Sequence, residues 1–495
     1  MDPHPSSADV AWQSASVSAT AMARGEVSSE ILTARLLERI EAVETPTGER
    51  NSLNSIIAVA ADALAAAKER DDERRRGHVR SALHGVAVLV KDNVEAVGLP
   101  ASAGSLALAG RTVVADAPIV ERMRDAGMIV VGATNLSEWA NIRSTRSASG
   151  WSAVGGLTAN PWSLKRSAGG SSSGSGAAVA AGLAPLAIGT ETDGSINCPA
   201  SLNGCVGLKP TVGRLTTRGI VPISHSQDAP GPMGRSVLDV AMLFDVLSDS
   251  DVNAKACGHR RLGDVRIGSA EEWLTGDPAT DARYAAVLDQ LRAGGARIER
   301  AAVLPPEAIV EDEFAVLIAE LVDDLDAYLA QRPGEGVRSL ADVVAFNRSE
   351  SALELAYFGQ ELFEMALASG GTATDDYEQR RARCLEWAVD RCLEPAMSEG
   401  LDLIIAPAYA PAWVSDLERG DPHTELGGRS MTAPAIAGWP TLCLPMGFVD
   451  GLPVGLVAVA RPNQEELLLA AGHAIEAEIG LVGTDALVPT FTNPR

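Results

Sequence analysis

Residues 169–200 read GGSSSGSGAAVAAGLAPLAIGTETDGSINCPA, and the interpretation of this stretch decides the fold. A Ser/Gly loop opens it. The Ala-rich "GAAVAAGLA" predicts a helix of small side chains suited to close packing. "PLAIG" is short and apolar, as a buried strand is. A second Gly-Ser corner, with Asp193, Gly194 and Ser195, ends the unit.

Outward from this unit, strand and helix alternate. "HGVAVLVK" (84–91) predicts a buried strand whose last residue, Lys91, emerges at a sheet edge. "DAPIVERMRDAG" (116–127) predicts an amphipathic helix with Ile119, Val120 and Met123 inward, and "MIVVGATN" (128–135) a second buried strand. The alternation favours α/β layers, with parallel strands here. Residues 9–75 read as helices. Ile31, Leu32, Leu36, Leu37 and Ile40 fall on one face, and Arg74–Arg76 form a solvated end. From 270 to 400 the texture is amphipathic helix with few strands. Residues 402–460 return to strands, and "NQEELLLAAGHAIEAEI" (463–479) closes as a helix, with Asn463 and Glu466 spaced like a capping box. No repeat or linker interrupts the chain. One large α/β domain spans 1–495: N-terminal helices over 9–75, a core over 80–245, a helical insertion over 270–400 and a return to the sheet over 402–495.

Composition narrows the function. The chain has 495 residues, 46% of them hydrophobic, and a net charge of −24. That balance excludes a phosphate-binding surface for nucleic acid and docking on anionic membrane. No secretory pattern opens the sequence and no apolar run spans a bilayer. Six scattered cysteines (Cys198, Cys205, Cys257, Cys384, Cys392, Cys443) form no CxxC pair, so reduced thiols in a cytoplasmic protein are expected, and no zinc site.

The Ser/Gly region admits four chemistries. A phosphate cradle needs a lysine in the loop, and "GGSSSGSG" has none. Gly170–Gly174 matches G-x-S-x-G with Ser172 central, but "NPWSLKRSA" before it is a poor strand for a nucleophile elbow. Its bases would come from His225, His259, His423 or His473. A purely structural loop explains the glycines, but not the strand-end lysine, Ser-rich loop and Gly-Ser corner in this order. The fourth is a Ser–Ser–Lys relay. A serine hydroxyl needs a base, and a neutral lysine can serve. Holding Lys91 neutral near pH 7 costs about 4 kcal/mol, which burial away from carboxylates can supply. An ordinary pairing of Lys91 with Asp92 is the competing interpretation.

"HGVAVLVKDN", "GGSSSGSGAAVAAGLAPLAIGTETDGSINCPASLNGCVGLKPT" and "PISHSQDAPGPMGRSV" resemble the amidase signature family, as do residues 116–140 and 437–460. The resemblance covers nearly the whole chain, weakly over 255–395. It implies a mixed twisted sheet covered by helices. It also implies a triad of Lys91, Ser171 and nucleophilic Ser195, with Ser171 on a cis peptide bond. The spacing of 24 residues between the two serines agrees with the family. By the same resemblance the backbone N–H groups of Thr192, Asp193, Gly194 and Ser195 bind the oxyanion, and Ser172 orients Lys91 by a hydrogen bond. Many members have Gly where this chain has Asp193, which either contacts substrate or makes a local hydrogen bond. Gln227 and Asp228, in a Pro-rich loop, are expected to line the site, and Asn135 and Glu138 to support it. His225 reads as incidental, and Tyr357, Phe358 and Phe363 as core of the insertion.

Within the family, "ETDGS" and "SHSQD" look most like peptide amidases. The implied activity is hydrolysis of carboxamides, foremost peptide C-terminal amides. An aryl acylamidase or general amidase, and the glutaminase subunit of a tRNA-dependent amidotransferase, are the alternatives. No metal or organic cofactor is implied, and the expected assembly is a monomer or homodimer.

Overall fold

The computed structural model describes residues 12–45, 52–398, 400–422 and 427–491. Residues 9–11 of the expected N-terminal helices, the extreme N-terminus and His423 lie outside them.

An eleven-stranded mixed sheet organises the chain. Its strands are β1 (Ile56–Val59), β2 (Ala87–Lys91), β3 (Ile129–Thr134), β4 (Leu186–Glu191), β5 (Val206–Lys209), β6 (Ala229–Gly234), β7 (Arg266–Ser269), β8 (Arg297–Arg300), β9 (Leu403–Pro407), β10 (Thr441–Val449) and β11 (Leu452–Val459). They stand side by side as β1-β3-β2-β4-β6-β5-β10-β11-β9-β7-β8. Parallel pairing joins β3, β2 and β4, and again β9, β7 and β8. The strands between these groups are antiparallel, as is β1 at the edge.

The register places the chemistry. Val90 of β2 pairs with Ile188 of β4, so Lys91 and Thr190 reach the carboxyl ends of parallel neighbours together. In open α/β sheets, ligand crevices form at such ends. Helix α1 (Ser173–Ala181) starts directly from the Ser/Gly loop, and all nine of its residues are buried. Its small side chains are required: a Cβ on Gly174 would lie 2.4 Å from the Ser55 carbonyl oxygen. Helix α2 (Asn197–Asn203) follows the Ser195 corner and is buried along its length.

Several elements differ from the sequence pattern. Strand β1 interrupts the expected N-terminal helices. Its four residues are half-buried to exposed, too short a run to give a period. On the helix Ser29–Glu44, Leu32, Leu36 and Ile40 are buried, whereas Ile31 points to solvent. Strand β6, "APGPMG", occupies the Pro-rich segment after Asp228. Its two prolines lack N–H donors, and so it reads as loop. Between 270 and 400, β8 pairs with β7 in parallel through the helix Pro278–Ala293. The helical segment proper follows it. There α3 (Val310–Gln331) packs with Leu340–Ser349 and Glu361–Ser369 around Trp139 and Phe363. The capping box at Asn463 is absent, because the last helix begins at Glu465. There the Asn463 N–H donates to Thr211 Oγ1, and Glu465 accepts from the Thr211 N–H.

Candidate active site

Lys91 is the last residue of β2 and is fully buried. Its Nζ lies 2.8 Å from Ser171 Oγ, 2.8 Å from Thr190 Oγ1 and 3.2 Å from the Thr190 carbonyl oxygen. Asp92 is turned away. Its carboxylate accepts from the N–H and hydroxyl of Ser102. With no carboxylate in contact, desolvation dominates and pulls the lysine down from 10.5 to about 7. The more distant charges of Asp228 and Glu191 oppose that shift without cancelling it. A large fraction of the amine is therefore neutral at neutral pH, as a base requires.

Ser171 follows a cis peptide bond from Gly170. Ser172 makes no hydrogen bond to Lys91. Its Oγ donates to the Thr190 carbonyl at 3.1 Å and accepts from the Thr190 N–H at 3.2 Å. Thr190, which the motif pattern did not single out, thus holds Lys91 directly and receives a further bond from Asn93 Nδ2. Its place in the strand-end run "IGTET" was the only signal. Ser172 is fully buried and its hydroxyl is committed to both backbone groups of Thr190, so it is not presented as an elbow nucleophile is. The preceding Ser163–Ser167 is a strand, contrary to the sequence pattern, but it belongs to a side ribbon with Ala159–Asn160.

The Ser195 corner is held by a residue that sequence reasoning passed over. The Glu191 carboxylate, at the end of β4, accepts from the N–H groups of Ile196 and Asn197 and from Asn197 Nδ2. It fixes the start of α2, where a negative group also suits the helix dipole. Gly194 has φ +76, and its carbonyl accepts from the Cys198 N–H at 2.7 Å. Among the described residues, no hydrogen bond engages the N–H groups of Thr192, Asp193, Gly194 or Ser195, or the Ser195 hydroxyl. The corner therefore presents a row of uncommitted donors beside an uncommitted hydroxyl. Ser195 joins the Ser/Gly loop through its carbonyl, which accepts from the Ser172 N–H at 3.1 Å.

Ser195 and Gly170 line one cavity of about 210 Å³. Thr192, Asp193, Cys198, Tyr409 and Trp413 share its wall, and Leu317 of α3 faces it from the helical segment. Among the described lining residues there is no Lys, Arg or His, whereas Asp193 and Asp421 are present. Asp421 is committed to the Ser149 N–H and Trp413 Nε1, both at 2.8 Å. Asp193 is half-buried, with one contact from Thr432 Oγ1 at 3.4 Å. Burial and the Glu191 charge push its carboxyl up.

The remaining candidates serve the frame. Asp228 accepts from Thr192 Oγ1 at 2.5 Å and from the Ile223 and Ser224 N–H groups. It therefore ties the corner to the 223–228 loop, with both oxygens hydrogen-bonded, and burial raises it to about 6. Gln227 is buried and turned away, its amide donating to Glu313 of α3 at 3.0 Å. Asn135 binds the Asn54 and Gly156 carbonyls, and Glu138 pairs with Arg143, both fully buried. Phe358 and Phe363 are buried, whereas Tyr357 is exposed. His225, Glu320 and Asp324 bring metal-ligand atoms within 4.8 Å of one another. Those atoms already hold the loop: Asp324 accepts from the His225 N–H, and Glu320 from the Ser224 hydroxyl. No described helix is long and apolar enough to cross a membrane.

Comparison with known proteins adds lineage to this geometry. Residues 32–469 match the family model described as Amidase. A glutamyl-tRNA(Gln) amidotransferase component from Symbiobacterium thermophilum is 35% identical over 91% of this chain and 94% of its own. The crystal structure of native peptide amidase from Stenotrophomonas maltophilia superposes with a TM-score of 0.86 at 40% identity, covering 94% of this chain and 96% of that one. A bacterial aryl acylamidase superposes at 0.77 over 96% and 98%, but its 20% identity supports the fold alone.

Proposed function

The chain belongs to the amidase family and is a hydrolase of amide C–N bonds, and from that premise we propose that it removes the terminal amide of peptides through an acyl-enzyme on Ser195. Ser195 Oγ attacks the carboxamide carbon. Its proton passes through Ser171 to neutral Lys91. The oxyanion forms against the N–H groups of Thr192 to Ser195. The relay then returns the proton to the leaving nitrogen, and ammonia departs. Water, activated by the same relay, releases the peptide acid.

The observation that carries this reading is Lys91 Nζ at 2.8 Å from Ser171 Oγ, fully buried and touching no carboxylate. Such a lysine can accept a proton, and a paired surface lysine cannot. Thr190 and Asn93 aim the amine, and Glu191 and Asp228 hold the corner.

The acyl preference rests on the cavity. An acyl group bearing a carboxylate, such as free glutamine, needs a positioned Arg or Lys to replace its hydration. The described lining residues offer only carboxylates of charge type. A peptide amide makes no such demand, and the 40% identity to a peptide amidase supports the same choice. A component of a glutamyl-tRNA(Gln) amidotransferase is a second reading, favoured by the 35% identity to that relative. Ammonia release from a blocked dipeptide amide, free glutamine and acetamide, alongside amine release from an anilide, separates the readings. The dipeptide amide should be turned over fastest. Preference for glutamine would replace this reading with the amidotransferase one, and preference for the anilide with an aryl acylamidase.

A further inference from the structure

Tyr409 stands just beyond β9 and lines the same cavity as Ser195. Its hydroxyl has no hydrogen-bond partner among the described residues and is not sealed from the cavity. A half-buried tyrosine hydroxyl ordinarily finds a partner. Three other side-chain donors in the wall have partners. Thr192 Oγ1 donates to Asp228, Trp413 Nε1 to Asp421, and Asn141 Nδ2 to Ser149. Tyr409 Oη also sits against the corner: a Cβ on Gly194 would come 2.3 Å from it. Gly194 immediately precedes the nucleophile and carries one of the uncommitted N–H groups.

We propose that the Tyr409 hydroxyl is a further catalytic group, donating a hydrogen bond to the scissile carbonyl oxygen as that oxygen becomes an oxyanion. This rests on the acyl-enzyme reading above, but not on which amide is the substrate. The chemistry of the corner gives the donor a purpose. Burial raises the Asp193 carboxyl, but in its ionised form it sets a negative charge beside the place where the oxyanion develops, which backbone donors alone have to overcome. A neutral O–H against Gly194 adds a donor at the same corner. Burial and the nearby acidic groups push the Tyr409 phenol well above its ordinary value, so it remains a donor across the working pH range. The ring packs, with Trp413, against the buried cluster of Cys198, Leu202 and Ala412.

The test is Tyr409→Phe, which keeps the ring and its packing. On whichever amide the wild type hydrolyses, kcat should fall by about a hundredfold, the scale for losing one oxyanion donor, with KM little changed. The aldehyde carrying that amide's acyl group, whose serine adduct has the same oxyanion, should lose affinity by a similar factor. The corresponding alcohol, which forms no adduct, should bind as before. A rise in KM with kcat intact, or equal losses for aldehyde and alcohol, would overturn the proposal, because the hydroxyl would then bind the ground state. Unchanged kinetics would overturn it too. Should Tyr409→Phe fold poorly, Tyr409→Leu removes the donor with a smaller apolar side chain, tested by the same aldehyde-to-alcohol ratio. Failure of the peptide-amide reading shows instead in the wild-type substrate panel.

Discussion

Replacing Lys91 with methionine should abolish turnover and at the same time stabilise the protein. Methionine is unbranched, apolar and close in length, so it fills the site with little rearrangement. The wild-type lysine is a burden at neutral pH. Its pKa falls from 10.5 in the unfolded chain to about 7 in the fold. That difference corresponds to about 5 kcal/mol of lost stability once both states are protonated, and about 4 kcal/mol at pH 7. Against this stand the hydrogen bonds that the variant loses. Ser171 Oγ gives up its partner, whereas Thr190 Oγ1 keeps Asn93 and the Thr190 carbonyl keeps Ser172. The loss is about 1 kcal/mol, which leaves the variant about 3 kcal/mol more stable at pH 7. A chain of this length unfolds with an entropy near 1 kcal/mol/K, so the melting temperature should rise by about 3 °C. The sign of the pH dependence is fixed as well. Between pH 7 and 10.5 the unfolded chain binds a proton that the folded one does not, so wild-type stability increases across that window. The advantage of the variant should therefore be largest at pH 7 and below and vanish toward pH 10. Melting curves of both proteins at half-unit steps from pH 6 to 10 measure it. A variant less stable at pH 6, or a difference that ignores pH, would refute the reasoning, because Lys91 would then be a charged, paired cation.

Activity should follow the same proton: kcat/KM should rise with pH through a midpoint near 7 and then level, and a profile falling through that midpoint would contradict a lysine base. Ser195→Ala should lose several orders of magnitude in kcat with an unchanged melt, and a fluorophosphonate probe, read by mass spectrometry, should label Ser195 and not Ser172. Gly194→Ala should cost about 1–3 kcal/mol from its φ of +76 and inactivate the enzyme, since the added methyl also meets Tyr409 Oη; thermal melts and turnover check both effects. Glu191→Ala frees the N–H groups of Ile196 and Asn197 inside the protein, so a loss of about 2–4 kcal/mol in denaturant unfolding is expected.

The sequence by itself determined the order of chemistry along the chain. Lys91 at the end of an apolar run, Ser171 in a Ser/Gly loop and Ser195 in a Gly-Ser corner were legible because each sits in a local pattern with a local physical reason. The buried strands β2, β3 and β4 were legible for the same reason, since four to six apolar residues in a row have few other uses. The tertiary structure decided what holds those groups. Thr190 grips Lys91 only because β2 and β4 run parallel in one register. Ser172, adjacent in sequence to Ser171, is turned to Thr190 instead of the lysine. Glu191 became the anchor of α2, and Asp228 a tie on Thr192, through contacts that no spacing encodes. Strand β6 stayed hidden because prolines remove the donors by which a strand is recognised. Tyr409, some two hundred residues beyond Ser195, reached Gly194 only through the pairing of β9 with β11 and the loop that follows. Local patterns record propensity and burial, which depend on neighbours in sequence. Which uncommitted donors and acceptors meet depends on strand order and register, and those are set by the whole sheet at once.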